Sequence, residues 1–114
     1  MRIKLKEEVL HLPIGKDIFV TAVGDIVRIE AISNYSKIFL KNGGTIVVAR
    51  VLKWFEATLT GFIRVHRTHL VNSHCITSYT NKKNGLIELQ SGELIEVSKR
   101  RRSAFREFYF SAVA

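Results

Sequence analysis

The sequence predicts a mostly-β domain built of many short strands, with two or more short helices. Three observations predict it. Short β-branched runs recur between turn signals along most of the chain. Only two segments, at 52–59 and 99–113, switch to helical spacing. The 114 residues, 46% hydrophobic and 25% charged, suffice for one modest hydrophobic core and not for two.

Taken in order, residues 1–9 (MRIKLKEEV) have weak periodicity and read as a leader or linker remnant of a longer parent chain. The leader reading extends over the first dozen residues, and the domain itself is placed at 10–114. IFVTAV at 18–23 and IVRIEAI at 26–32 are strands, separated by Gly24-Asp25. In the second, Val27, Ile29 and Ala31 face one way and Arg28 and Glu30 the other. YSKIFLK at 35–41 is a third strand, and Asn42-Gly43-Gly44 supplies a hairpin turn into TIVVAR at 45–50. Leu52, Phe55 and Leu59 then fall on one face of a short helix, which Gly61 stops. FIRVHR at 62–67 is a strand with Ile63 and Val65 inward. THLVNSHCI reads as a turn of helix running into another strand, and SYTNKKNG as a solvated loop. A hairpin follows over 86–97, pairing Ile87 and Leu89 with Ile95 and Val97 across Ser91-Gly92. The closing helix, 99–113, carries Phe105, Phe108, Tyr109 and Ala112 on one stripe with Val113 beside it, and Ser98 is placed as its N-cap.

Lys and Arg number 18 against 10 Asp and Glu, a net charge of +8 and a pI near 10.0. That balance favours a polyanionic partner, most often nucleic acid. No apolar run is long enough to span a bilayer, so no membrane partner is expected. One cysteine, Cys75, allows no internal disulfide and fits a reducing, cytoplasmic compartment. Catalytic signatures are missing: there is no Gly-rich phosphate loop, H-E-x-x-H, paired carboxylate or G-x-S-x-G, so neither enzymatic activity nor a cofactor is expected. His66, His69, His74 and Cys75 are metal-ligand types, but their spacing matches no usual zinc pattern, and no metal is expected.

Three polar segments carry the candidate chemistry. Lys99, Arg100, Arg101 and Arg102 would crowd the first turn of the last helix, against its macrodipole and each other. A phosphate there relieves both penalties, although long basic side chains also fan into water. In FIRVHRTHLVNSH, Arg67 suits bidentate reading of guanine, with Thr68 beside it. Asn72 suits adenine, or else a bond to its own backbone. His66 reads as structural, tying the loop together. In the third segment, Asn34 suits a turn needing positive φ, and Ser36 and Lys37 can reach a phosphate or a base edge. Phe105 and Phe108 are structural.

IVRIEAISNYSKIFLKNGG, a helix, FIRVHRTHLVNSHCI and LIELQSGELIEVSKRRRSAF, in that order, resemble the LytTR family of bacterial DNA-binding domains over residues 10 to 110. The resemblance implies a small, mostly-β output domain, usually following the receiver domain of a two-component response regulator in the parent chain. It implies sequence-specific duplex DNA binding for transcriptional regulation, in which loops read successive major grooves at repeated promoter sites, with a homodimer formed on the DNA. Ser36 or Lys37, then Arg67, then Lys99 fall at the family's contact positions, with Arg100 and Arg101 near phosphates. An RNA- or protein-binding β module without enzymatic activity is the alternative.

Overall fold

A computed structural model describes residues 8–80 and 85–113, the last four by backbone alone. Ten strands, two helices and three 3-10 turns follow in order among them. They are β1 (Val9–Ile14), β2 (Asp17–Ala22), β3 (Ile26–Ile32), β4 (Tyr35–Leu40), β5 (Thr45–Val48), α1 (Leu52–Thr58), β6 (Phe62–His66), β7 (His69–Asn72), β8 (Ile76–Thr80), β9 (Leu86–Leu89), β10 (Leu94–Glu96) and α2 (Arg102–Val113). The mostly-β class with short helices is the observed one.

The strands form three antiparallel sheets. A five-stranded sheet, in the order β5-β4-β3-β7-β6, is the centre of the molecule. The β1-β2 hairpin and the β10-β9-β8 sheet cover its two faces with their own apolar sides. Period-2 alternation explains this: Leu70 and Val71, adjacent on β7, enter opposite cores. The buried residues therefore form two clusters rather than one, because the central sheet is covered on both sides. Ile29, Ile38, Leu52, Phe55 and Leu70 anchor the first cluster, and Val65, Ile87, Val97 and Phe105 the second. A register shift between Ile26 and Arg28 turns Val27 into the second cluster while Ile26 and Ile29 stay in the first.

Several expectations change. Leu10 and Leu12, inside the stretch taken for a leader, are core residues of β1, paired with Thr21 and Phe19. Ser78–Thr80, the start of the stretch read as solvated loop, belong to strand β8, which pairs with β9, and Tyr79 packs on Phe105 with ring centroids 4.9 Å apart. Residues 81–84 of that loop lie outside the described residues. Gly43 takes φ +89° in the β4-β5 turn. On α2, Phe105 is fully buried, Tyr109 stacks on it at 5.6 Å, and Phe108 is half-buried. The side chains of Ala112 and Val113 lie outside the described ones.

Arg28 fastens the two larger sheets together. Its guanidinium lies 3.6 Å over the Phe39 ring and donates through Nη2 to Glu93 at 2.8 Å. Glu93 sits, partly exposed, in the β9-β10 turn, so the pair it makes with the buried Arg28 reaches from one sheet to the other.

Candidate nucleic-acid interface

The pairing registers gather the polar segments at one end of the central sheet. Ile32 pairs with Tyr35, which leaves Ser33-Asn34 as the β3-β4 turn. His66 pairs with His69, which leaves Arg67-Thr68 as the β6-β7 turn. Glu30 pairs with His69, and the Ala31 amide donates to the Thr68 carbonyl at 2.8 Å, so the two turns are side by side. Ser98 donates its amide to Val65 at 2.8 Å, which brings the chain entering Lys99–Arg101 against the same end of β6. At the other edge, Ser36 pairs with Val48, and the chain leaves β5 at this same end through Ala49 and Arg50.

Each expected residue has a definite setting. Asn34 is exposed, but the left-handed residue of its turn is Ser33, at φ 56°. A non-glycine residue in that region stores strain, which elsewhere collects at functional sites. Ser36 is not an exposed contact: it is fully buried, and its hydroxyl donates to the Arg50 carbonyl at 2.6 Å. Lys37 is half-buried, with its ammonium 5.2 Å from the Phe39 ring centroid. Arg67 is exposed.

The turn that presents Arg67 is tied down from within. Arg64 Nε donates to the His66 carbonyl at 3.0 Å, its Nη2 donates to the Arg67 carbonyl, and its Nη1 reaches Glu56 of α1 at 3.1 Å. The Thr68 hydroxyl bridges His66 Nδ1 and His69 Nδ1, each at 2.9 Å. Thr68 is thus engaged inside the turn, as His66 is. Burial pushes His69 below the ordinary histidine pKa, against the pull of Glu30, whose carboxylate lies 3.5 Å away. Asn72 is buried and takes the backbone alternative. Its Nδ2 donates to the Ile26 carbonyl at 2.9 Å and its Oδ1 accepts from the His74 amide at 3.0 Å.

The basic run is divided. Lys99–Arg101 form a 3-10 turn, held by the Arg101 amide donating to the Ser98 carbonyl at 2.9 Å. Ser98 makes no side-chain capping bond, and α2 begins only at Arg102. The expected conflict with the helix dipole is thereby eased, because three of the four cations precede the helix. Lys99 and Arg100 are exposed, whereas Arg102 turns back and donates through Nε to the Val97 carbonyl at 3.1 Å. Arg102 thus also serves the fold.

Among the described residues, none of Lys37, Arg50, Arg67, Lys99, Arg100 and Arg101 makes an ion pair. Two acids on the neighbouring elements already face other cations: Glu30 faces Arg28 at 3.7 Å and Glu56 faces Arg64 at 3.1 Å. One end of the sheet therefore carries uncompensated positive charge on side-chain tips backed by rigid turns. This arrangement suits a polyanion, with phosphates met by the cations and base edges met by a planar guanidinium. Among the described residues no three His, Cys, Asp or Glu side chains are grouped to hold a metal. Nor is any helix there long and apolar enough to cross a membrane.

By residue type Arg64 reads as a donor to phosphate oxygens or base edges, whereas in the structure it engages the His66 and Arg67 carbonyls and Glu56. That role carries no sequence signal, because it depends on a turn that Arg64 closes from beneath. Arg50 was missed by sequence reading altogether. Arg50 stands four residues before Trp54, a helical spacing that points to a contact between them.

Comparison with known proteins adds two findings. Residues 16–109 match the family model of the LytTr DNA-binding domain. Among solved structures, this chain is similar to the LytTr DNA-binding domain of a Bacillus cereus protein described as a methyl-accepting/DNA response regulator. The identity is 24% and the TM-score 0.76, over 90% of this chain and 95% of that one. No curated protein matches significantly.

Proposed function

The chain belongs to the LytTr DNA-binding domain family, and from that premise we propose that it binds duplex DNA sequence-specifically and serves transcriptional regulation. Turns, rather than a recognition helix, approach the duplex. Arg67 reads a base edge in the major groove, and Asn34 and Lys37 meet the DNA from the neighbouring turn. Lys99, Arg100 and Arg101 hold phosphates and fix the register. The observation that carries this reading is the convergence of the three segments at one end of the central sheet, with their cations unpaired. The partners follow from the same reading: repeated promoter half-sites, a second copy on the adjacent repeat, and a receiver domain in the parent chain, all within the cytoplasm.

Selection of preferred duplexes from random DNA tests it. The expected result is a recovered motif bound about a thousandfold or more tighter than a scrambled duplex of equal length. The apparent affinity should fall steeply with salt. Equal binding to selected and scrambled duplexes, or stronger binding to RNA in direct competition, would overturn it.

A further inference from the structure

The order of the strands sets the order of groups along the binding end. Following β5-β4-β3-β7-β6, the groups are Arg50, then Ser33-Asn34, then Arg67-Thr68, then Lys99–Arg101 against β6. Adjacent strands lie about 4.8 Å apart, so five strands span about 20 Å, the length of about six base pairs. Arg50 and the basic turn stand at opposite limits of that span.

Arg50 is fixed there by two independent contacts. Its carbonyl accepts the hydrogen bond from the buried Ser36 hydroxyl, which pins the backbone at the end of β5. Its guanidinium lies 4.7 Å over the ring of Trp54 on α1. Trp54 in turn meets Phe55 edge-on at 5.0 Å, and Phe55 is fully buried in the core. The ring is therefore a rigid platform. A guanidinium stacked on an aromatic face keeps its N–H edges available for a phosphate and surrenders less side-chain freedom on binding. Arg28 and Arg64 differ: Arg28 is buried with Nε and Nη2 on Glu93, and Arg64 is engaged by Glu56 and two backbone carbonyls. Arg50 is exposed and pairs with no carboxylate among the described residues.

We propose that Arg50, stacked on Trp54, is a further DNA contact: a phosphate clamp at the β5 limit of the interface, opposite Lys99–Arg101. This assignment rests on the duplex-binding reading given above. It adds the side chain that extends the interface beyond the three recognised segments, and it gives Trp54 the part of a positioning residue.

The experiment measures dissociation constants on the selected duplex and on a scrambled one, each over a range of salt, for wild type, Arg50→Ala, Arg50→Lys, Trp54→Leu and Arg50→Ala/Trp54→Leu. Thermal melts confirm folding of each variant. Arg50→Ala should weaken both duplexes by the same roughly three- to tenfold and reduce the salt slope by about 0.9. Arg50→Lys should restore the slope with only part of the affinity, because the charge is kept and the planar stack is lost. Trp54→Leu should weaken binding in the wild-type background and have no further effect in Arg50→Ala. A salt slope unchanged in Arg50→Ala, with wild type binding normally, would overturn the assignment and leave the DNA reading standing. Wild type that binds neither duplex would overturn the DNA reading itself.

Discussion

Ser98 donates its backbone amide to the carbonyl of Val65 at 2.8 Å. Val65 is a fully buried core residue two positions before Arg67, and Ser98 immediately precedes Lys99. A single backbone bond between interior segments thus fixes the spacing of two groups proposed to touch DNA. The bases do not wave from a tail. They leave a rigid junction together.

Arg67→Ala should relax sequence preference. Its turn is held by Arg64, Thr68 and two histidines, so removing an exposed side chain leaves the support intact. The expected cost is about 1–3 kcal/mol on the preferred duplex and little on a random one. Equal losses on both would mean that Arg67 touches phosphate and reads no base.

Arg100→Ala and Arg101→Ala should weaken specific and random duplexes alike, and each should lower the salt slope by about one unit. Arg102→Ala should act differently. Its bond to the Val97 carbonyl belongs to the fold, so a lowered melting temperature is expected in this variant and not in Arg100→Ala. Identical melting curves for the two would dissolve the distinction.

Phe105→Ala should destabilise by about 3–5 kcal/mol. The ring is fully buried between Tyr79 and Tyr109, so its removal leaves a cavity in the second cluster. Urea denaturation measures it, and a midpoint equal to wild type would place Phe105 outside the core.

Stability should fall on acidification. Burial pushes His69 below its ordinary value, and the hydrogen bond from Arg28 holds Glu93 below the usual carboxylate range. Both groups bind protons more readily in the unfolded chain, so the free energy of unfolding rises with pH across each window. For His69 the contribution is present above about pH 6.5 and is lost as pH falls through its lower folded value. For Glu93 the loss begins near pH 4.3 and continues below it. Urea midpoints at pH 5 to 8 should decline on the acid side, and His69→Gln should flatten the part between pH 5 and 7. A wild-type midpoint constant over that range would refute the histidine contribution.

The parts legible in the sequence are those where local preference and tertiary packing agree. Alternation in 35–41, the Asn42-Gly43-Gly44 turn and the 52–55–59 stripe describe their elements correctly. For 26–32 the strand was legible but its facing was not, because the bulge sends Val27 to the second cluster while Ile29 enters the first. Strand β1 was illegible because its Leu10 and Leu12 signal is short, interrupted by His11 and Pro13, and preceded by a charged stretch. Strand β8 was hidden by its Thr, Ser and Tyr content; it is defined by its partner β9. At the interface, exposure of Arg67, Lys99 and Arg100 follows from their charge. Burial of Ser36 does not follow from its type, because it depends on a carbonyl fourteen residues away that accepts its hydroxyl. Arg102 likewise owes its inward bond to the path of Val97, which only the folded chain sets.

The bulge at Val27 has one more consequence. Strand β3 feeds Ile29 to one apolar cluster and Val27 to the other. A strand shared in this way leaves neither half able to melt while its neighbour survives, so heating should give one calorimetric peak whose van't Hoff and measured enthalpies coincide. Deleting a residue at Val27 would shift Ile26 or Arg28 across the sheet, and the thermogram should then split or vanish.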